Sequence, residues 1–171
     1  MKKAIIAVAF MLLAQASFAS EPKFDVRSVL WGMNKSEVAS TESGKPKIYD
    51  MWDDKEILGY RENILGKEAS IFYEVEHERG LSSVVFAFKI ESGSERRAML
   101  SEMQRALEGK YQKVEQEKRE EGDVARYTSP RTNILLREDE RETMYIIYRA
   151  IDAVLAKQKP PKSRQEELSQ F

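Results

Sequence analysis

Two hydrophobic periods take turns along this chain. Between Gly44 and Lys89 apolar and polar side chains alternate with a period of two, broken by turn residues, which predicts sheet. Residues 57–60, 69–75 and 81–88 are the predicted strands, with Ile71, Tyr73 and Val75 on one face and Val84, Phe86 and Phe88 on one face. The connection His77-Glu78-Arg79-Gly80 has hairpin length and ends in glycine, so the last two strands are expected to pair antiparallel. Then the period becomes helical. Ser92-Gly93-Ser94-Glu95 has the capping-box pattern, and Met99, Met103, Ala106 or Leu107, and Tyr111 recur on one helical face. Alternation returns over 124–128, 132–136 and 143–148, with Glu138-Asp139-Glu140-Arg141 as a charged connection.

The start of the chain repeats this order. Residues 24–31 alternate like a half-buried strand at a sheet edge or a lead into a helix, and Asn34-Lys35-Ser36-Glu37 is a capping box with Met33 and Val38 in staple positions. Asn34 also heads an Asn-Lys-Ser glycosylation sequon, but capping accounts for it. Helix then strands thus occurs twice, over about 24–90 and 91–150. The expected fold is α+β, an antiparallel sheet with two helices on one face and a tandem duplication of pattern. Residues 151–156 allow one closing helical turn, and the Pro160-Pro161 segment ends regular structure, leaving 158–171 as an expected disordered tail.

The first nineteen residues change the picture. Lys2 and Lys3 precede an apolar stretch, residues 4–14, too short for the roughly 20 residues of a spanning helix, and Ser17-Phe18-Ala19 offers small residues for cleavage. Residues 1–19 are therefore expected to be a signal peptide cut between Ala19 and Ser20, which places a single domain, residues 20–157, in the periplasm or outside the cell without a membrane anchor. Removing Lys2 and Lys3 lowers the basic count from 28 to 26 against 29 acidic residues, a net charge of −3. No basic stripe forms, so nucleic acid is not an expected partner. The chain has no cysteine, which excludes disulfides, thiolate catalysis, thiolate metal sites and a lipid-modified N-terminus.

Candidate chemistry is sparse. His77 is the one histidine, and its neighbours Glu76 and Glu78 would point to the other face of a strand, so no triad is expected. Asp50, Asp53, Asp54 and Glu56 cluster without the turn glycine and ligand spacing of a calcium loop. The expectation is no catalytic residue, no metal and no cofactor. Trp31, Tyr49, Trp52 and Tyr60 are either core or rim aromatics or a partner-binding patch, and residues 44–66, the least regular stretch of the pattern, are the place to find such a patch.

Phe24-Asp25-Val26-Arg27 followed by Trp31-Gly32-Met33-Asn34-Lys35-Ser36-Glu37-Val38 resembles the opening of a set of small exported bacterial proteins of unassigned function. More distantly it resembles the helix start of the SmpA/OmlA lipoproteins, an accessory subunit of outer-membrane protein assembly. Ala106-Leu107-Glu108-Gly109-Lys110-Tyr111 is similar to the helix end in that set, with Gln112 in place of a common glycine. Thr132-Asn133-Ile134-Leu135-Leu136 and Tyr145-Ile146-Ile147-Tyr148 are similar to its last hairpin. The resemblance implies a β-lactamase-inhibitor-like architecture and a binding or scaffolding role, with no catalytic residues to carry over. The expected function is a non-enzymatic periplasmic binding or accessory module acting on another envelope protein. The alternative is a small-molecule or lipid binder with an apolar pocket between sheet and helices.

Overall fold

The computed structural model describes residues 25–156 apart from 53, 91–92, 120–121 and 140–142. The expected signal peptide, the capping role of Ser92 and the expected C-terminal tail lie outside the described residues. The elements are α1 (Lys35–Thr41), β1 (Lys47–Trp52), β2 (Lys55–Ile64), β3 (Lys67–Glu76), β4 (Gly80–Lys89), α2 (Gly93–Glu108), β5 (Gln112–Arg119), β6 (Gly122–Thr128), β7 (Thr132–Glu138), β8 (Thr143–Ala150) and α3 (Asp152–Leu155).

All eight strands form one antiparallel sheet in the order β1-β2-β3-β4-β8-β7-β6-β5. Each half of the chain is a four-stranded meander, and the two meanders meet where β4 pairs with β8. Exchanging β1–β4 for β5–β8 returns the same order read backwards. The α+β class and the antiparallel sheet therefore hold.

Register converts the alternation into cross-strand rows. One runs Leu58, Tyr73, Val84, Tyr148, Ile134, Tyr127, and the next Tyr60, Ile71, Phe86, Ile146, Leu136, Ala125. Apart from the half-buried Tyr148, these residues are buried, and they form one hydrophobic cluster with Met99, Leu100, Met103 and Leu107 of α2 and Val38 of α1. Fully burying one such side chain contributes on the order of 1.5–3 kcal/mol, so the rows hold sheet and helices together. The apolar positions of α2 fall three and four residues apart, which keeps them on one face.

The cap of α1 forms as its residue types require. Asn34 accepts from the Glu37 amide at 2.9 Å, and the Glu37 carboxylate accepts from the Asn34 amide at 2.8 Å. The turn at residues 77–80 joins β3 to β4, with Gly80 at a φ of +72°.

Two expectations need correction, and one strand was not expected. Residues 25–31 are not a strand: Val26 bridges Val29 across a tight turn in which Arg27 takes a φ of +50°. The Asp25 side chain closes that turn by accepting from the Trp31 amide at 2.9 Å, which bends the chain before an extended run can form. Residues 44–66 are not irregular, because β1 and β2 form a hairpin there. Finally, β5 carries no alternation at all. Residues 112–117 are all exposed at the sheet's edge, so no buried face imprints a period of two on them.

A cleft between helix and sheet

The C-terminal half of α2 leaves the sheet partly uncovered and opens a cleft of about 540 Å3. Its floor is Phe86 and Phe88 of β4 with Ile146 and Tyr148 of β8, and α2 supplies Met103, Ala106 and Leu107 as one wall. The facing wall is the turn Asp25-Val26-Arg27 together with Ile64 and Leu65 at the tip of the β2–β3 hairpin. Lys110 and Tyr111 close the end beyond the helix. Such a mostly apolar hollow with a few polar groups is the usual form of a small-molecule site.

Local structure places each wall. The Leu107 carbonyl accepts from the amides of both Lys110 and Tyr111, at 3.0 and 2.8 Å, which ends the helix and turns these two residues over the cleft. Tyr111 then meets Tyr148 edge-on at 6.3 Å between ring centroids, and Tyr148 meets Phe86 in the same way at 5.8 Å. Leu65 and Gly66 form the two-residue turn of the β2–β3 hairpin with φ of +54° and +76°. A leucine is unusual in this left-handed position, where Asn, Asp or Gly avoids steric cost. Leu65 is also 59% exposed, so an apolar side chain stands at the cleft mouth in a backbone conformation that disfavours it.

Charge at the mouth is mostly neutralised within the protein. The Asp25 carboxylate is buried and receives Arg131 Nε and Nη2 at 2.5 and 3.0 Å. Arg27 is held between Glu62 and Glu42, the latter at 3.4 Å, and these partners raise its pKa against the opposing cost of burial. Lys110 differs: it is exposed and has no ion pair among the described residues. Burial pushes the phenols of Tyr111 and Tyr148 up, and the nearby charge of Asp25 adds to the rise at Tyr111. Both hydroxyls therefore stay protonated at neutral pH and can donate to a bound acceptor.

The aromatics singled out from the sequence do not assemble into a patch. Trp31 is buried in the core, its indole Nε1 donating to Thr132 Oγ1 at 2.9 Å. Tyr60 is buried as well, edge-on to Tyr73 at 5.8 Å. Of the two readings left open by the sequence, burial of these two side chains favours core over an exposed patch, because neither has the free surface an anchor needs. Tyr49 and Trp52 lie in β1, where their backbones pair with Ile57 and Lys55; their side chains are outside those described.

His77 is exposed in the β3–β4 turn, its amide donating to the Asp54 carbonyl at 3.0 Å. Of the acidic cluster, Glu56 pairs with Lys35 at 2.9 Å, and no group of three or more metal-ligating side chains occurs among the described residues. The sequence allowed an apolar pocket between sheet and helices but did not reveal which residues line it, because the lining comes from five segments distant in sequence. The one local signal was the Leu65-Gly66 turn, where an apolar residue occupies a polar residue's usual place. No family model, no curated protein and no solved structure matches this chain.

Proposed function

We propose that this chain is a non-enzymatic binding module of the bacterial envelope that holds a small apolar or amphipathic ligand in the cleft between α2 and the sheet. The observation that carries this is the cleft itself: about 540 Å3, floored by Phe86, Phe88, Ile146 and Tyr148 and open to solvent beside an exposed Leu65. Export past Ala19 and a free existence in the periplasm belong to the same proposal. Docking of another envelope protein on Trp31, Tyr49, Trp52 and Tyr60 is less well supported, since two of the four are core residues.

The proposal includes the finer architecture: α1 and α2 cover one face of the sheet, and the two halves descend from one helix-plus-meander unit. In support, both helices give side chains to the same core cluster, and the strand order is unchanged when the halves are exchanged.

Titration with N-phenyl-1-naphthylamine, an uncharged apolar fluorophore, tests the function. A saturable fluorescence rise with one site per chain is expected. Ala106→Trp places a large ring on an exposed helical position at the cleft wall and should remove the signal while the far-UV circular dichroism stays unchanged. Absence of saturable binding by the wild-type protein, or unchanged binding by the Ala106→Trp protein, would overturn the reading.

A further inference from the structure

Lys110 and Tyr111 after α2, with Tyr148 of β8, are three of the polar side chains that line the cleft. Tyr148 lies against Tyr111. Lys110 carries a positive charge without a partner among the described residues, whereas Arg27 and Asp25, also at the mouth, are satisfied by Glu42 with Glu62 and by Arg131. Neither the Tyr111 nor the Tyr148 hydroxyl makes a hydrogen bond to a protein group among the described residues. One ammonium and two phenolic donors, with no acceptor assigned to them, adjoin an apolar floor. A ligand that matches this pairs an anionic oxygen group with a hydrocarbon chain.

We propose that the cleft binds a free single-chain carboxylate amphiphile of the fatty-acid class, its carboxylate at Lys110 and Tyr111 and its chain along Phe86, Ile146 and Leu107 toward Leu65. This rests on the cleft being a binding site and adds the headgroup chemistry. Charge complementarity carries the choice of an anion, because Lys110 is a lining cation without an ion pair among the described residues, whereas Arg27 is paired. One chain suits the volume, which falls in the lower half of the roughly 300–1,000 Å3 of small-molecule sites. Tyr148, nearer the floor and against Phe86, donates where the carboxylate meets the chain.

The test compares decanoate with decanol, equal in chain length and different in charge, by isothermal titration below the micellar concentration at pH 7.5. The wild-type protein is expected to bind decanoate about tenfold more tightly than decanol, the effect of a hydrogen bond to a charged group. Lys110→Gln should collapse that ratio to near one, and Lys110→Arg should restore most of it. Ala106→Trp should weaken both ligands together.

If decanol binds as tightly as decanoate, or if Lys110→Gln leaves the ratio unchanged, the carboxylate inference fails while the cleft reading stands. If neither ligand binds, both fail. Sedimentation with phosphatidylglycerol vesicles separates a free amphiphile from a membrane headgroup: no co-sedimentation is expected, and co-sedimentation lost in the Lys110→Gln protein would overturn the assignment to a free ligand.

Discussion

Gly80 lies against Gly32 so closely that a Cβ on Gly80 would stand 2.2 Å from the Gly32 carbonyl oxygen. The contact is backbone to backbone: the Gly32 amide donates to the Leu81 carbonyl at 2.9 Å, and the Leu81 amide to the Met33 carbonyl at 2.8 Å. These bonds fasten the segment before α1 to the start of β4.

Gly80→Ala is therefore expected to lower stability by upwards of about 2 kcal/mol, since it combines an unfavourable φ with a clash that no side chain can relieve. Gly66→Ala is the control. Gly66 has a φ of +76° but open space around a Cβ, so only the conformational cost of about 1 kcal/mol remains. Urea unfolding of the two variants measures the difference, and equal losses would show that the Gly32 contact contributes nothing.

Trp31 and Thr132 connect the two halves of the chain through a buried hydrogen bond. Thr132→Val keeps the shape but leaves the indole N–H without an acceptor, an expected loss of about 1–3 kcal/mol. Trp31→Phe loses volume as well as the donor. The double variant is expected to be less destabilised than the sum of the singles, because with Phe at position 31 no indole N–H is left to be orphaned by Thr132→Val. Additive losses in a double-mutant cycle would mean that the hydrogen bond carries no coupling.

Alkaline pH should unfold the protein through its tyrosines. Tyr60, Tyr73, Tyr111, Tyr127, Tyr145 and Tyr148 all have raised pKa values, with burial as the largest cause in each. A raised folded-state pKa means that the folded chain holds the phenolic proton more tightly than the unfolded one. The resulting stability is fully present below the unfolded pKa of about 10 and is lost as pH rises from there toward the folded values. Neutral and mildly acidic conditions leave this contribution untouched. Ultraviolet difference titration should show phenolate appearing late and together with loss of ellipticity, and independent titration near pH 10 with the fold intact would contradict it.

The edge strand β5 is guarded by its charges. Lys113 pairs with Glu108 at 2.9 Å and Glu115 with Arg126 at 3.0 Å, yet exposed pairs like these contribute less than about 1 kcal/mol. Their larger effect is to discourage another sheet from adding to the edge. Replacing Lys113, Glu115 and Glu117 with Thr should leave the melting temperature within a few degrees and promote concentration-dependent association in analytical ultracentrifugation. A monomeric triple variant would refute the guarding role.

How far the fold could be read from the sequence follows from where each signal originates. Asn34 and Glu37 announce α1 because a cap is local, its partners three residues apart. β3 and β4 are legible because neighbours bury one face of each, which leaves Ile71-x-Tyr73-x-Val75 and Val84-x-Phe86-x-Phe88 as imprints. β5 lacked that imprint. Residues 25–31 misled because their alternation is satisfied by a turn, with Val26 and Val29 both buried and Asp25 tied to Arg131, a partner over a hundred residues away. The identity of the residues that line the cleft was hidden for the same reason: Lys110, Leu65 and Ile146 come to line one pocket only through the tertiary fold.

That order also sets a timetable. β8 is the last of the eight described strands to be synthesised, yet it occupies the centre of the sheet, where Ser83 of β4 pairs with Arg149. A nascent chain that stops short of β8 therefore leaves the inner edge of β4 unpaired, with Phe86 and Phe88 lacking their partners Ile146 and Met144. Closing so distant a pair is slow compared with forming a hairpin, which delays commitment to the native state until nearly the whole chain is available. A polypeptide built this way stays unfinished for as long as β8 is missing from its central seam.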